Sequence, residues 1–161
     1  MTRAFIGSLI FTVIAPGAVA GYIPYLIATQ HSGSLRVELG VAHYFGGLML
    51  ALGAAIYVWC VAGFVRAQGT PAPVAPTREL VAGGLYRYVR NPMYVGVLTA
   101  ISGWAVWFGS GAVAIYGAGI FVLVHLFVIG YEEPTLRRTF GESYERYCRD
   151  VPRWIPRLKG R

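Results

Sequence analysis

The residues best suited to chemistry lie in "GGLYRYVRNPMYVG", the fourteen residues 83–96, and in the acid pair Glu132–Glu133. Asn91 followed by Pro92 predicts a helix start, because Asn is a good N-cap and Pro suits the first helical position. The next three backbone N–H groups would lack helical partners, and a helix N-terminus attracts anions. Arg90 adds a full positive charge beside them, so this stretch predicts an anion site.

The small and aromatic residues of the same stretch would complete a ligand site. Gly83 and Gly84 let the backbone come close to a ligand. Three tyrosines offer ring faces for a planar base or a cation, namely Tyr86, Tyr88 and Tyr94. With the acid pair, these groups match the carboxylate, ammonium, sulfonium, adenine and ribose diol of S-adenosylmethionine. An anionic lipid headgroup would also fit, and interfacial tyrosines alone are typical of an aromatic belt.

Long apolar tracts surround these groups and must position them. The 161-residue chain is 56% hydrophobic and 13% charged, whereas a soluble domain carries about 25% charged residues. We therefore expect one all-α membrane domain with about four transmembrane helices and a C-terminal amphipathic cytoplasmic helix. The expected spans are residues 5–27, 39–65, 92–108 and 112–131. Since a span needs about 20 helical residues, the third tract crosses only with its flanks, or it forms half of a shallow hairpin.

The distribution of basic residues predicts the orientation. With both termini in the cytoplasm, every Lys and Arg except Arg36 lies on the cytoplasmic side, as the positive-inside rule expects. The net charge of +7 therefore indicates membrane anchoring rather than nucleic-acid binding, and the active site falls at the cytoplasmic face. Arg3, an apolar run and "AVA" at Ala18–Ala20 also imitate a signal peptide. Against that alternative, the apolar tract continues through Ile27, and cleavage would reverse the charge bias.

Other candidate motifs carry less chemistry. Cys60 and Cys148 are expected to stay unpaired, because they lie far apart and the cytoplasm is reducing. No Cys/His cluster has zinc spacing, so no metal is expected. His125, in the fourth span, is either a functional ionisable group or a neutral side chain bonded to a neighbouring helix. "GSGAVA" at Gly109–Ala114 imitates a dinucleotide fingerprint, but its apolar flanks indicate a tight turn between spans.

A linker and a tail flank the spans on the cytoplasmic side. Three prolines make "RAQGTPAPVAPTREL", residues 66–80, an extended linker. Pro134 predicts a kink or restart of the fourth span at Glu132–Glu133. Apolar residues spaced three or four apart from Leu136 to Val151 then predict an amphipathic helix, either on the membrane surface, over the site, or against the end of the bundle. "VPRWIP" ends that helix and places Trp154 at the interface.

Two segments together resemble the integral-membrane methyltransferases, which include isoprenylcysteine carboxyl methyltransferases and phospholipid N-methyltransferases. They are "LVAGGLYRYVRNPMYVG" and, about forty residues later, "EEPTLRRTFGESYERYCRDVPRWIP". The family pattern is roughly G-x-Y-x-x-x-R-H-P-x-Y-x-G, then E-E-x-x-L-x-x-x-F-G-x-x-Y-x-x-Y, then V-P-x-x-x-P. The resemblance covers about residues 78–156, which would form the cofactor-binding half; the N-terminal spans resemble only generic ones.

The resemblance implies S-adenosylmethionine as the methyl donor, a compact helical membrane fold and a lipid-facing entrance for the acceptor. With Gly84 and Arg90 added from the residue chemistry, the expected cofactor-binding residues are Leu80, Val81, Gly84, Tyr86, Arg90, Asn91, Pro92, Met93, Tyr94 and Glu132. Arg78 and Glu79 match less well. An amine acceptor would need a proton acceptor, for which Glu133 is the candidate catalytic residue, whereas a carboxylate or thiolate would need none.

Two departures from the family pattern bear on the acceptor. Asn91 replaces the usual histidine, so no proton transfer is assigned there. Val128 stands where the eukaryotic prenylcysteine enzymes have an arginine tied to the acceptor carboxylate, which weakens that assignment. The expected partners are the bilayer and a lipophilic acceptor, of prenylcysteine-carboxylate or phospholipid-amine type, with no nucleic acid or metal. The alternatives are a small-thiol methyltransferase and a non-catalytic lipid-binding module, and the small residues Ala42 and Gly46 could pack helices within or between chains.

Overall fold

The computed structural model describes residues 14–30, 35–66, 80 and 82–156, and for Val65 and Arg66 it describes only the backbone. The described residues are mainly helical and contain no strand; an isolated bridge joins Arg36 and Ser110. This confirms the all-helical expectation. Residues 5–13 of the first expected span and most of the proline-rich linker lie outside the described residues.

Residues 14–17, where the described part of the chain begins, are α-helical, and six further α-helices follow. They are α1 (Ile23–Gln30), α2 (His43–Arg66), α3 (Pro92–Phe108), α4 (Gly111–Phe127), α5 (Glu133–Phe140) and α6 (Glu142–Asp150). The π turns Ala18–Tyr22 and Val128–Glu132 precede α1 and α5, and the 3-10 turns Gly40–Ala42 and Gly84–Arg87 precede α2 and α3. Two continuous helical stretches, Gly40–Phe64 and Gly111–Phe140, are long and apolar enough to cross a membrane, and Pro92–Phe108 is apolar but shorter.

Helices α2 and α3 pack backbone to backbone through glycines. A Cβ at Gly53 would lie 2.6 Å from the Ala100 nitrogen and the Gly96 oxygen, so no side chain fits there. One at Gly46 would lie 2.7 Å from the Gly103 oxygen. Small residues permit this close approach of membrane helices. Gly46 therefore packs helices within the chain.

Proline shapes the helix before α1, where α1, α3 and α4 meet around a buried apolar cluster. Pro24 has no N–H, and the Ile23 N–H bonds to the Ala18 oxygen, so the carbonyls of Val19 and Ala20 lose their usual helical donors. Side chains of neighbouring helices replace those donors. The Tyr116 hydroxyl donates to the Val19 oxygen at 2.9 Å, and the Trp104 indole N–H donates to the Ala20 oxygen at 2.9 Å. The π turn is thereby fastened to α3 and α4.

A second π turn precedes Pro134, where the sequence predicted a kink or restart of the helix. The helix instead continues from α4 into α5 through the π turn Val128–Glu132, and the Glu133 N–H bonds to the Val128 oxygen. Widening the turn accommodates a proline that cannot donate to a carbonyl four residues earlier. The real break comes at Gly141, with φ +52°, and it divides the expected amphipathic helix into α5 and α6.

The connection between α3 and α4 is the tight turn predicted for "GSGAVA". Gly109 ends α3 in the left-handed region with φ +58°, and Ser110 caps α4 by accepting from the Val113 N–H at 3.3 Å. The extended segment before α2 closes over this turn, since Val37 N–H donates to the Gly109 oxygen at 2.8 Å. Helices α3 and α4 flank the motif, in place of the strand that precedes a dinucleotide-binding fingerprint.

Candidate functional site

The loop that leads into α3 lies beside α2. Gly84 begins its 3-10 turn with φ +60°, a conformation that favours glycine. A Cβ at Gly84 would lie 3.5 Å from the indole nitrogen of Trp59. Gly83, by contrast, has open space where a Cβ would be. The loop therefore approaches α2 at Gly84 and leaves room at Gly83.

Tyr86 turns inward from this loop. Its ring meets Phe64 edge to face at 5.8 Å, and its hydroxyl lies within hydrogen-bonding reach of the Cys60 thiol. Its carbonyl accepts from the Tyr147 hydroxyl at 2.8 Å, so α6 holds the loop from the other side. Burial, and after it the nearby Cys60 thiol and Glu132 carboxylate, raise the pKa of the Tyr86 phenol. The Tyr86 phenol therefore stays protonated, and it is not suited to act as a base.

Tyr94 and Glu132 meet directly. The hydroxyl of Tyr94, which lies in the first turn of α3, donates to Glu132 Oε2 at 3.0 Å and so joins α3 to the π turn. Tyr57 of α2 lies close enough to interact with both Cys60 and Tyr94. The structure therefore brings together Tyr86, Tyr94 and Glu132, three of the residues expected at the cofactor site. It adds Tyr57 and Cys60 of α2, which sequence reasoning missed.

Glu133 faces away from Tyr94 and towards three guanidinium groups. We call Glu133, Arg90, Arg137 and Arg153 together the arginine cluster. The side chain of Glu133 is 4% exposed. Oε1 accepts from Arg153 Nε at 2.6 Å and from Arg90 at 3.0 Å, and Oε2 accepts from Arg153 at 3.0 Å. Arg137 lies 3.8 Å away. A general base must reach the proton it abstracts, so this engaged carboxylate does not suit the role expected of Glu133.

Arg90 also differs from its expected role as a charge for an anion site. Its terminal nitrogen Nη1 donates to Glu133 and, at 3.0 Å, to the sulfur of Cys148. Its Nε is buried and has no hydrogen-bond partner among the described residues. The charge of Arg90 is thus balanced by Glu133, while one buried donor remains beside the start of α3.

Asn91 precedes α3 but does not cap it with its side chain. The amide instead donates to the Arg153 oxygen at 3.2 Å, which ties the helix start to the C-terminal tail. The backbone oxygen of Asn91 accepts from the Val95 N–H at 3.1 Å. Only the N–H groups of Met93 and Tyr94 therefore precede the first helical bond, whereas three such groups were expected. Pro92 takes the first helical position as predicted and is fully buried.

The other expected residues are less informative. Leu80 and Met93 are half-buried, and Tyr88 is 46% exposed. Val81, Arg78 and Glu79 lie outside the described residues.

The C-terminal tail carries the contacts that sequence reasoning missed most clearly. Arg153 binds Glu133, and the Trp154 indole N–H donates to His125 Nδ1 at 3.1 Å while its ring packs against Phe121. His125 is thus a hydrogen-bonded structural residue, and its partner lies in the tail. The available signal for Arg153 is its position between Pro152 and Pro156 in "VPRWIP", where a charged residue is held in a short, restricted segment.

The residues present fit S-adenosylmethionine. The two amides at the start of α3 and the unpartnered Nε of Arg90 are donors suited to a carboxylate. The Glu132 carboxylate is an acceptor suited to ribose hydroxyls or a cation, and Tyr86 and Tyr94 supply aromatic walls. A separate cavity of about 660 Å³ lies at the other end of the bundle, beside the α3–α4 turn; its lining includes Arg36, His43 and Trp107.

The sequence of this chain is similar to those of known proteins. Residues 41–143 match the model of the phospholipid methyltransferase family. An uncharacterized protein of Haemophilus influenzae is 39% identical over 64 residues, which are 39% of this chain and 100% of that protein. The protein-S-isoprenylcysteine O-methyltransferase of Schizosaccharomyces pombe is 36% identical over 85 residues, which are 48% of this chain and 33% of that enzyme. Because the family match covers more than half of its residues, this chain belongs to the phospholipid methyltransferase family, a family of membrane methyltransferases.

Proposed function

We propose that this protein transfers a methyl group from S-adenosylmethionine to a lipid-like acceptor. The observation that carries the proposal is the hydrogen bond between Tyr94 and Glu132 at the start of α3. Both residues belong to the two segments that resemble the family, and they are 38 residues apart in sequence. A family match alone supports the reaction class, while this contact supports a specific place for the donor.

Each group of the site has a separate proposed task. The donor, when bound, supplies a methyl group on a positively charged sulfur. Glu132 would accept hydrogen bonds from the donor and attract its positive charge, and Tyr94 would hold the orientation of that carboxylate. The amides of Met93 and Tyr94, with Arg90 Nε, would bind the donor's carboxylate. The ring of Tyr86, fixed against Phe64, would bound the site beside α2.

Methyl transfer of this kind asks little covalent chemistry of the protein. The reaction is an in-line displacement, so the main contributions are alignment of acceptor and methyl group and exclusion of water. A carboxylate or thiolate acceptor needs no base. An amine acceptor must lose its proton before attack, and Glu133 is already bonded to Arg90 and Arg153. We therefore propose a supporting role for Glu133 in place of the catalytic role first expected.

The acceptor would reach this site from the membrane. Helix α3 packs against both α2 and α4, whereas α2 and α4 make little contact with each other in the described part of the chain. The space between them lies over α3, on which Tyr94 is placed. A lipid tail lying in that space would bring its reactive end to the cytoplasmic end of α3. Prenylcysteine-type carboxylates and phospholipid amines are the two acceptor classes we propose.

The proposed membrane arrangement has four spans and both termini in the cytoplasm. The stretches Gly40–Phe64 and Gly111–Phe140 support two of them. Helix α3 has 17 residues, about 26 Å at 1.5 Å per residue, so it would cross with its polar flanks. Helices α5 and α6 would form the cytoplasmic cover, and α6 suits an interface because Tyr144 is buried while Glu142 and Arg146 are exposed.

The acceptor can be identified by following a labelled methyl group. Purified protein would be incubated with methyl-labelled S-adenosylmethionine and membrane extract, and the label sorted into base-labile esters, phospholipid and volatile thioethers. We expect label in the ester or phospholipid fraction, and a strong loss of it in Glu132→Gln. Volatile label would identify a small thiol instead. Donor binding without any transfer would indicate a non-catalytic module.

A further inference from the structure

We propose that Arg153 is a positioning residue of the methyl-donor site. It acts through Glu133 to keep the neighbouring Glu132 on Tyr94. The inference rests on the proposed function, because the site that it serves is the proposed donor site. The residues expected to bind the donor run from Leu80 to Glu132, so they do not include the C-terminal tail.

The tail first holds the residues that begin α3. The backbone N–H of Arg90 donates to the Pro152 oxygen at 2.8 Å, and the side-chain amide of Asn91 donates to the backbone oxygen of Arg153 at 3.2 Å. Two consecutive carbonyls of the tail are therefore bound to two consecutive residues before Pro92. Since α3 starts at Pro92, the tail fixes the position of the helix N-terminus at the donor site.

The tail also holds the acid pair, through the side chain of Arg153. Nε donates to Glu133 Oε1 at 2.6 Å, and a terminal nitrogen donates to Oε2 at 3.0 Å. A two-pronged arginine–carboxylate pair fixes orientation as well as distance. The same residue thus binds the start of α3 with its backbone and the acid pair with its side chain.

Glu133 transmits this constraint to Glu132. Its N–H bonds to the Val128 oxygen and so closes the π turn that contains Glu132. Successive side chains on a helix point about 100° apart, so Glu133 faces the tail while Glu132 faces α3. The Tyr94 hydroxyl lies 3.0 Å from the Glu132 carboxylate. If the π turn rotated so that Glu133 left Arg153, the same rotation would move Glu132 away from Tyr94.

Substitution of Arg153 leaves Glu133 with other positively charged partners. Arg90 stays at 3.0 Å and Arg137 at 3.8 Å from the carboxylate, so the buried charge keeps partners. Arg137 cannot replace the lost geometry, because it is 45% exposed and pairs with Glu145 at 2.8 Å. The substitution should therefore change orientation more than folding.

The test compares Arg153→Ala and Arg153→Lys with Arg146→Ala, an exposed arginine of α6 whose loss removes the same charge. Affinity for S-adenosylhomocysteine, the demethylated donor, is measured by calorimetry below the unfolding temperature of each variant. In parallel, the ring-carbon NMR signal of Tyr94, assigned with Tyr94→Phe, reports its hydroxyl environment. We expect Arg153→Ala to weaken binding about tenfold or more and to shift the Tyr94 signal. Arg153→Lys should restore part of both, and Arg146→Ala should change neither.

The two readouts separate this inference from the proposed function. Wild-type affinity in Arg153→Ala overturns the inference, and so does an unchanged Tyr94 signal, because either would leave Arg153 with a purely structural role. If the folded wild-type protein does not bind S-adenosylhomocysteine, the proposed function fails, and the Tyr94 signal alone decides the positioning. If Arg153→Ala does not fold, Arg153→Gln and Arg153→Lys are judged by the same outcomes.

Discussion

Glu132 and Glu133 are adjacent acids with different surroundings. Glu132 shares a hydrogen bond with a tyrosine hydroxyl, whereas Glu133 is enclosed by the guanidinium groups of the arginine cluster. A carboxylate that must meet a ligand needs an accessible oxygen, and one that holds an ion cluster needs its oxygens engaged. The acid pair therefore divides two tasks, with ligand contact proposed at Glu132 and structural support at Glu133.

Replacing Glu133 tests this division through stability. Glu133→Gln removes the charge that pairs with the partly buried Arg90 and Arg153 and with the exposed Arg137, so we expect the free energy of unfolding to fall by about 3 kcal/mol. Chemical unfolding in detergent micelles measures the change. Glu142→Gln, at an exposed position on α6, is the control and should change stability little. Equal stability of the two variants would contradict the role of Glu133 in the arginine cluster.

At the scale of elements, glycine and proline determine how the helices meet. Proline at positions 24 and 134 follows a π turn in each case, and the freed carbonyls before Pro24 are taken up by side chains of α3 and α4. Glycines on α2 and α3 bring the two helix backbones into direct contact. The second π turn directs Glu132 toward α3, so this departure from regular α-helix determines the geometry of the site.

A glycine pair on α2 gives a matched test of the helix contact. Gly53→Ala would place a Cβ 2.6 Å from backbone atoms of α3, so we expect a loss of about 1–3 kcal/mol in the free energy of unfolding. Gly63→Ala is the control on the same helix, since nothing lies within 4 Å of its would-be Cβ. That control should be neutral or slightly stabilising, because alanine favours helix. A tolerated Gly53→Ala would show that α2 and α3 do not meet as described.

For the whole molecule, the functional groups lie at one end of the bundle and the α3–α4 turn at the other. Arg36 is at the turn end, bridged to Ser110, while Arg87, Arg90 and the arginines of α5 and α6 lie at the site end. This separation agrees with the charge asymmetry expected across a membrane. It leads to the proposed orientation, with the donor site facing the cytoplasm.

Cysteine labelling tests that orientation. In a Cys60→Ala, Cys148→Ala background, Glu38→Cys should react with a membrane-impermeant maleimide added to intact spheroplasts, because it lies at the turn end. Arg146→Cys, exposed on α6, should react only after the membrane is permeabilised. The reverse pattern would contradict the proposed orientation and would leave the helical fold unaffected.

Local sequence rules predicted the features that depend on neighbouring residues. Asn91–Pro92 gave the start of α3, and Gly109–Ser110 gave the turn to α4. The rules did not predict that the Asn91 amide binds Arg153, because the two residues are 62 apart and only the folded tail brings them together. Pro134 predicted a disturbance but not its form, since a missing N–H is compatible with either a break or a π turn.

Binding of S-adenosylhomocysteine to the purified protein is the decisive measurement for the proposed donor site. We expect saturable binding at one site per chain, weakened about tenfold or more in Tyr94→Phe and Glu132→Gln, because each loses the charge-assisted bond between α3 and the π turn. Arg146→Ala should bind as the wild type does. Absence of saturable binding by the folded wild-type protein, or wild-type affinity in both variants, would contradict the proposed donor site at Tyr94 and Glu132.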